Sequence, residues 1–331
     1  MKATLRRVAP ALLLLILAPL IAEFLLGDFS VRQLGVLLGL LPQYGGGALL
    51  VRETARRRGK GWPTIILLAL AYALIEEGLT TQSLFNPSYA GQRLLDYGYI
   101  AALGTSLDWT VFVLTIHVVW SVACGITIAE AVAGERWDEP WLRIPGYVIT
   151  ALLYVVGCIF TVAFTIKTFP YVATPAQFAA VFVSTIAAIV LGLRLRSTSS
   201  SSPEPRSSPA AWIIASVATV LSSAFQLVVF YGWRVLPATI SLLIMLAIMA
   251  VAVALIARWS RRPGWGPGHS LALATGAIVT YGWLGIVRML VQGHTALGVP
   301  TTSLDVVGQS ILLLAVLTVA WLGMHRQGRL G

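Results

Sequence analysis

The sequence predicts an all-α, polytopic transmembrane helical bundle of about ten spans. Hydrophobic residues make up 57% of the 331 residues and charged residues only 11%, whereas a soluble domain carries about 25% charged residues. Apolar runs of about 20 residues recur along the chain, and each is long enough to cross a bilayer core of about 30 Å. The short segments of alternating polarity that a transmembrane β-barrel requires do not occur in the sequence.

The first apolar run follows Lys2, Arg6 and Arg7 and continues through Leu26. Because no small-residue cleavage site interrupts the run, we expect an uncleaved first helix. The predicted spans cover about residues 8–26, 31–51, 62–82, 109–133, 145–165, 176–193, 210–233, 237–257, 269–290 and 304–324.

Polar segments separate these spans. Residues 52–60 form a strongly basic loop, and Pro87 ends the third helix because proline removes a backbone donor. Residues 84–108 are aromatic and polar, as in an interfacial or re-entrant segment. Residues 196–209 are nearly all Ser, Pro, Arg and Glu, a composition typical of a flexible linker. We therefore predict an N-terminal helical part (1–195), this linker (196–209) and a C-terminal helical part (210–331).

The positions of the basic residues predict the topology. With the N-terminus in the cytoplasm, 18 of the 23 Lys and Arg residues fall in cytoplasmic segments, as the positive-inside rule requires. We predict ten spans in the cell inner (plasma) membrane with both termini in the cytoplasm.

The net charge of +10 therefore reflects topology rather than nucleic-acid binding. Membrane lipid is the expected partner, and the sequence leaves the oligomeric state open. Cys124 and Cys158 both lie inside apolar runs, so we expect no disulfide framework. No zinc signature or phosphate-binding glycine loop is found, and we predict neither a metal nor another cofactor.

Ionisable residues inside the predicted spans are the strongest functional signal, because they are costly to place in a bilayer. At about 1.5 Å per residue, Glu76 and Glu77 lie about 9 Å below the outer surface of the bilayer core, and His117 lies about 12 Å below it. Glu23 lies near the outer end of the first helix. Four ionisable groups on three helices thus converge on the outer half of the membrane.

Helical spacing assigns these residues to faces. On the third helix, a single polar stripe contains Tyr72, Glu76, Thr80 and Ser83, and Glu77 points about 100° away from it. On the fourth helix, one face contains His117, Ser121 and Cys124.

A carboxylate pair that faces a histidine can activate water or relay protons. We therefore predict Glu76, Glu77 and His117 as catalytic residues. The substrate, an unidentified small molecule or peptide, would contact Glu23, Tyr72, Thr80, Ser121 and Arg288. In the structural alternative, the glutamates only bond to neighbouring helices or pair with Arg288.

Three glycines, Gly45 to Gly47, lie within the second span. Glycines allow helices to approach closely, and they also loosen the backbone at the substrate-binding breaks of transporters. Close packing is the more frequent of the two explanations.

The Glu76-Glu77 pair followed by His117 on the next helix resembles the glutamic-type intramembrane proteases of the CAAX prenyl endopeptidase group. That resemblance implies a water activated by the glutamates. Thr81 and Gln82 occupy the positions where this group has an arginine, and the chain has no second mid-membrane histidine.

Longer phrases resemble a family of uncharacterised multi-pass bacterial membrane proteins, which implies no activity. These are residues 42–47, residues 76–78 with 82–87, and residues 117–121. Three functional hypotheses follow: an intramembrane hydrolase, a proton- or cation-coupled transporter, and a non-catalytic membrane scaffold.

Overall fold

The computed structural model describes residues 2–195 and 207–327, with side chains described for residues 7–195 and 207–325. Within these residues, ten helices are long and apolar enough to span a membrane, which confirms the predicted number. Residues 196–206 of the predicted linker lie outside the described part. The helices are α1 (Arg7–Phe24), α2 (Val31–Arg56), α3 (Trp62–Thr80), α4 (Leu107–Arg136), α5 (Ile144–Thr168), α6 (Pro175–Arg194), α7 (Ala211–Arg234), α8 (Ala238–Trp259), α9 (Pro267–Gln292) and α10 (Ser303–His325).

Three helices form the interior of the bundle. In α3, α4 and α9, 61% of the most apolar stretch is buried, against 17% in α5 and 11% in α8. Trp120 of α4 stacks on Tyr281 of α9 with ring centroids 4.4 Å apart, and its indole donates to the Ala277 carbonyl at 2.8 Å. The outer helices expose apolar side chains, as helices that face lipid do. One core cluster contains side chains of α1, α4, α9 and α10, so both parts of the chain contribute to it.

The connection between α3 and α4 contains a small antiparallel sheet of β1 (Tyr99–Ile100) and β2 (Thr105–Ser106). Gly104 lies between the strands at a φ of +64°, a conformation that glycine adopts without steric cost. Ser106 then caps α4, because its hydroxyl accepts the backbone N–H of Trp109 at 3.1 Å. This cap starts α4 at Leu107, two residues before the predicted start.

Four of the spanning helices contain π-helical turns. The turns are Leu20–Phe24 in α1, Leu41–Gly45 in α2, Ile75–Thr80 in α3 and His117–Cys124 in α4. A π-turn inserts an extra residue into a helix and shifts the face that the following side chains occupy. Helical periodicity does not predict this change.

One end of the bundle, the basic face, is held together by buried ion pairs. Helix α2 continues to Arg56, so the first part of the predicted basic loop is helical. Fully buried Arg52 donates to Glu53 at 2.7 Å and to Glu130 of α4 at 3.1 Å. Arg56 donates to Glu130 at 2.7 Å. The assignment of this face to the cytoplasm stays a prediction.

At the opposite end, ion pairs join helices that are distant in sequence. Arg32 at the start of α2 contacts Asp305 at the start of α10 at 2.8 Å. The two ends of α2 therefore lie at opposite ends of the bundle.

Candidate functional site

Glu76, Glu77 and His117 meet between α3 and α4, as the sequence predicts. His117 Nε2 lies 2.6 Å from Glu77 Oε1, and His117 Nδ1 lies 3.4 Å from Glu76 Oε2. The exposed fraction is 1% for Glu76, 6% for Glu77 and 5% for His117. We call these three residues the carboxylate–histidine centre.

Hydrogen bonds fix the orientation of the His117 ring. Its Nδ1 atom lies 3.0 Å from the Ser121 hydroxyl, one turn further along α4. Since Nε2 faces Glu77, both ring nitrogens have a partner. Ser121, predicted to share the His117 face, therefore does so. Cys124 faces away from the centre, with its thiol 3.9 Å from the Ala274 carbonyl.

The second oxygen of Glu77 is held by hydroxyl groups. Thr81 donates to Glu77 Oε2 at 3.2 Å, and Ser83 makes a short hydrogen bond to the same atom. The Trp109 indole donates to the Ser83 hydroxyl at 3.2 Å. The prediction that Ser83 belongs to the Glu76 stripe is therefore wrong. The π-turn and the end of α3 at Thr80 place Ser83 beside Glu77 instead.

The Glu76 carboxylate makes fewer hydrogen bonds than the Glu77 carboxylate. Its Oε2 atom is buried and makes no hydrogen bond of ordinary geometry to any described residue. The phenols of Tyr44 and Tyr72 approach this carboxylate, and the Tyr72 hydroxyl is also buried without a hydrogen bond. A buried carboxylate oxygen without a well-formed hydrogen bond is energetically costly. This side of the centre is therefore the place where a ligand would gain most.

Glu23 of α1 extends the centre through Tyr44 of α2. The Tyr44 hydroxyl donates to Glu23 Oε1 at 2.5 Å, and the Tyr44 ring lies 5.9 Å from the His117 ring. Glu23 also interacts electrostatically with Glu76 and His117. These ionisable residues lie close together as the sequence predicts, whereas their position in the outer half of the membrane stays a prediction. Tyr44 is a contact that the sequence did not indicate.

The residues of the carboxylate–histidine centre, and the side chains that extend it, lie in the four described π-turns. Glu23, Tyr44, the Glu76-Glu77 pair and His117 with Ser121 each lie in a different one. π-turns are frequent at functional sites. In the turn of α3, both adjacent glutamates reach His117, although regular helical geometry would separate them by about 100°.

Thr80 and the glycines of α2 have structural roles in the surroundings. The Thr80 hydroxyl donates to the Glu76 carbonyl at 2.7 Å and accepts from the Gln43 side chain at 2.9 Å. A Cβ on Gly45 would collide with the Leu15 backbone, and one on Gly47 would collide with the Tyr72 ring. Close helix packing therefore explains these two glycines, since α2 continues through them without a break.

Arg288 lies apart from the glutamates. Its guanidinium donates to Asp28 at 3.0 Å and to the Leu26 carbonyl at 3.0 Å, and it lies 4.7 Å above the Phe230 ring. Burial raises the pKa of Asp28, and Arg288 opposes this effect. Asp28 is therefore the partner of Arg288, and the expected alternative pairing of Arg288 with Glu76 or Glu77 is not formed.

The chemistry of the centre favours cations. One donor atom from each of Glu76, Glu77 and His117 lies within 4.8 Å of the other two, close enough for a shared metal ion. Carboxylate and imidazole are common ligands of zinc, manganese and iron.

The fold and this site define an integral membrane protein with ten candidate spanning helices in its described part and a buried carboxylate–histidine centre. The chain belongs to an uncharacterized membrane protein family, whose model matches residues 12–327. No curated protein and no solved structure matches it. The family match confirms the predicted resemblance to uncharacterised membrane proteins, whereas the resemblance to the glutamic-type proteases gains no support from these comparisons.

Proposed function

We propose that this protein binds a divalent metal ion inside the membrane at Glu76, Glu77 and His117. The observation that carries the proposal is the placement of one donor atom from each of Glu76, Glu77 and His117 within 4.8 Å of the other two, all on buried side chains. A cation at this point would add a close partner for Glu76 Oε2, which lies 3.4 Å from His117 Nδ1.

Charge balance supports the same conclusion. Three glutamates, at positions 23, 76 and 77, interact with a single histidine. Charge buried in a medium of low dielectric is expensive unless it is compensated. A divalent ion compensates two carboxylates at once, and protons are the alternative.

The hydrogen bonds around the centre suit ligation. Ser121 at Nδ1 leaves Nε2 of His117 as the ligand atom, an arrangement in which the outer partner orients a metal-binding imidazole. The Glu77–His117 hydrogen bond would give way to the ion, which would take the place of the shared proton.

Hydrolysis within the membrane is a second candidate function. The number of protein ligands favours it, because the centre offers three. Catalytic zinc sites also have three protein ligands and leave the fourth position for water. The ion would lower the pKa of that water. The buried carboxylates also support coupled transport. The glycines of α2 do not support it, because they are explained by close helix packing.

The test measures metal content and thermal stability of the full chain purified in detergent. Variants Glu76→Gln, Glu77→Gln and His117→Gln are compared with wild type, and Glu135→Gln, at an exposed glutamate, is the matched control. Zn²⁺, Mn²⁺ and Mg²⁺ are each added after chelation.

We expect at least one ion to raise the Tm of wild type and of Glu135→Gln and to leave the three centre variants unchanged. At 100 times the Kd, binding contributes about 2.7 kcal/mol to the free energy of unfolding. If no ion is retained and none changes the wild-type Tm, the metal proposal is wrong and protons are the cation to consider. If a variant is unfolded, the wild-type titration alone decides.

A further inference from the structure

A second polar site lies on the basic face, across the bundle from the carboxylate–histidine centre. A cavity of about 630 Å³ opens there between the ends of α2 and α4 and the starts of α1 and α5. Its charged lining consists of Arg7, Arg57, Arg136, Arg143 and Glu139. Against these four arginines stand Glu139 in the lining and Glu53, which Arg57 contacts at 3.4 Å. The remaining positive charge favours an anion in this cavity.

Two of the arginines, Arg7 and Arg57, are held in place by the fold. Arg7 donates from Nε to the Trp141 carbonyl at 3.2 Å, and Arg57 donates to the Leu142 carbonyl. The Arg57 guanidinium lies 5.2 Å above the Tyr147 ring. Because these side chains are already ordered, an anion would bind with less loss of side-chain entropy than at mobile surface arginines.

Arg57 offers an unused donor within this site. Its Nε atom is buried and has no hydrogen-bond partner among the described residues. Guanidinium groups bind phosphate oxygens through paired donors, and four guanidinium groups line this cavity. The preferred anion is therefore a phosphate.

The lipid-facing surface beside the cavity indicates where the phosphate comes from. Ile144 lines the cavity and begins α5. Along α5 the exposed apolar side chains continue across the membrane, and they include Ile149, Leu152, Val156 and Phe160. A phospholipid could thus place its phosphate among the arginines and its acyl chains along α5.

We propose that this cavity binds the phosphate headgroup of an anionic phospholipid. Basic pockets between transmembrane helices bind such headgroups. The lipid would join α1, α2, α4 and α5 at the basic face, close to the buried Arg52–Glu130 ion pair.

The experiment titrates the purified full chain with three probes. These are phosphatidylglycerol, phosphatidylcholine with the same acyl chains, and sodium phosphate, with binding followed by native mass spectrometry and by Tm. The variants are Arg143→Gln, at an exposed arginine of the cavity, and the double variant Arg7→Gln with Arg143→Gln. Arg234→Gln, at an exposed arginine outside the cavity, is the matched control.

We expect phosphatidylglycerol to bind more tightly than phosphatidylcholine and to raise the Tm. Each arginine removed should weaken its binding about fivefold, since one basic side chain near an anionic lipid contributes about 1 kcal/mol. Arg234→Gln should bind as wild type does.

Equal binding of the two lipids overturns the proposal. It is also overturned if sodium phosphate competes fully at equal concentration, because the ligand is then a soluble anion. Should the double variant not fold, the comparison of lipids on the wild-type protein still gives one of these results.

Discussion

The imidazole of His117 and the carboxylate of Glu77 are joined at 2.6 Å across the interface between α4 and α3. The two residues are 40 positions apart in sequence, and each is fixed by its own helix. Ser121 holds the far nitrogen of the ring, and Thr81 and Ser83 hold the far oxygen of the carboxylate. A charge-assisted contact that is held from both sides in this way is preorganised. A ligand site requires such preorganisation.

Removal of the Ser121 hydroxyl should weaken metal binding without loss of the fold. In Ser121→Ala, the His117 ring loses the contact that selects its Nε2 atom as ligand. Loss of such an outer partner typically costs 10–100-fold in metal affinity. The Kd for Zn²⁺ or Mn²⁺, measured by titration of the purified protein, should rise by about that factor.

The control for this prediction is Ser216→Ala on α7. The Ser216 hydroxyl is exposed and bonds only to the Trp212 carbonyl one turn earlier, at 2.9 Å. The Ser216→Ala variant should bind metal as wild type does. An equal Kd for Ser121→Ala and wild type would show that Ser121 does not orient the ligand.

Metal affinity should increase with pH. The ion has to displace the proton shared by His117 and Glu77, so protons compete with it. For one displaced proton, the apparent Kd should fall by up to about tenfold per pH unit. Titrations between pH 6 and pH 8 in the presence of a chelator of known affinity would measure this slope. A Kd that is constant over this range would contradict proton displacement.

The fold was largely predictable because membrane insertion leaves few alternatives for apolar runs. The spans beginning near Trp62 and Ile144 follow from hydropathy and from the polar segments between them. The end of α2 was less predictable. Its basic residues resemble a solvated loop in sequence, but Glu130 and Trp141, which are distant in sequence, bury Arg52 within the bundle.

The site was only partly predictable. Depth alone was enough to bring Glu76, Glu77 and His117 together, because helices of known direction convert sequence position into height. The assignment to faces depended on a regular helical period, and the π-turn at Ile75–Thr80 changes that period. For the same reason, the Ser83 contact with Glu77 had no sequence signal.

Loss of the Glu130 carboxylate should destabilise the protein strongly. This buried side chain accepts from Arg52 at 3.1 Å and from Arg56 at 2.7 Å. In Glu130→Ala, both guanidinium groups lose a buried partner, and loss of one partner of a buried ion pair costs about 3–5 kcal/mol. Chemical denaturation in detergent should show this decrease in the free energy of unfolding. Glu135→Ala, at an exposed residue five positions further along, should change it by less than about 0.5 kcal/mol.

Two glycines of α2 should respond in opposite ways to the same substitution. Gly45 packs against α1, where a Cβ would lie 2.8 Å from the Leu15 carbonyl carbon. Backbone atoms cannot move aside as a side chain can, so Gly45→Ala should separate α1 from α2 and cost about 1–3 kcal/mol. At Gly39, no atom lies within 4 Å of the added Cβ.

Gly39→Ala is therefore the matched control, in the same helix and with the same added methyl group. Alanine is favoured over glycine inside a helix by about 0.5–1 kcal/mol, so the Tm of Gly39→Ala should equal or exceed that of wild type. The Tm of Gly45→Ala should be lower, and its metal affinity should also fall because Tyr44 precedes it in the same π-turn. If Gly39→Ala and Gly45→Ala have the same Tm, α1 and α2 are not packed closely at Gly45. The position of Glu23 beside the centre would then lose its support.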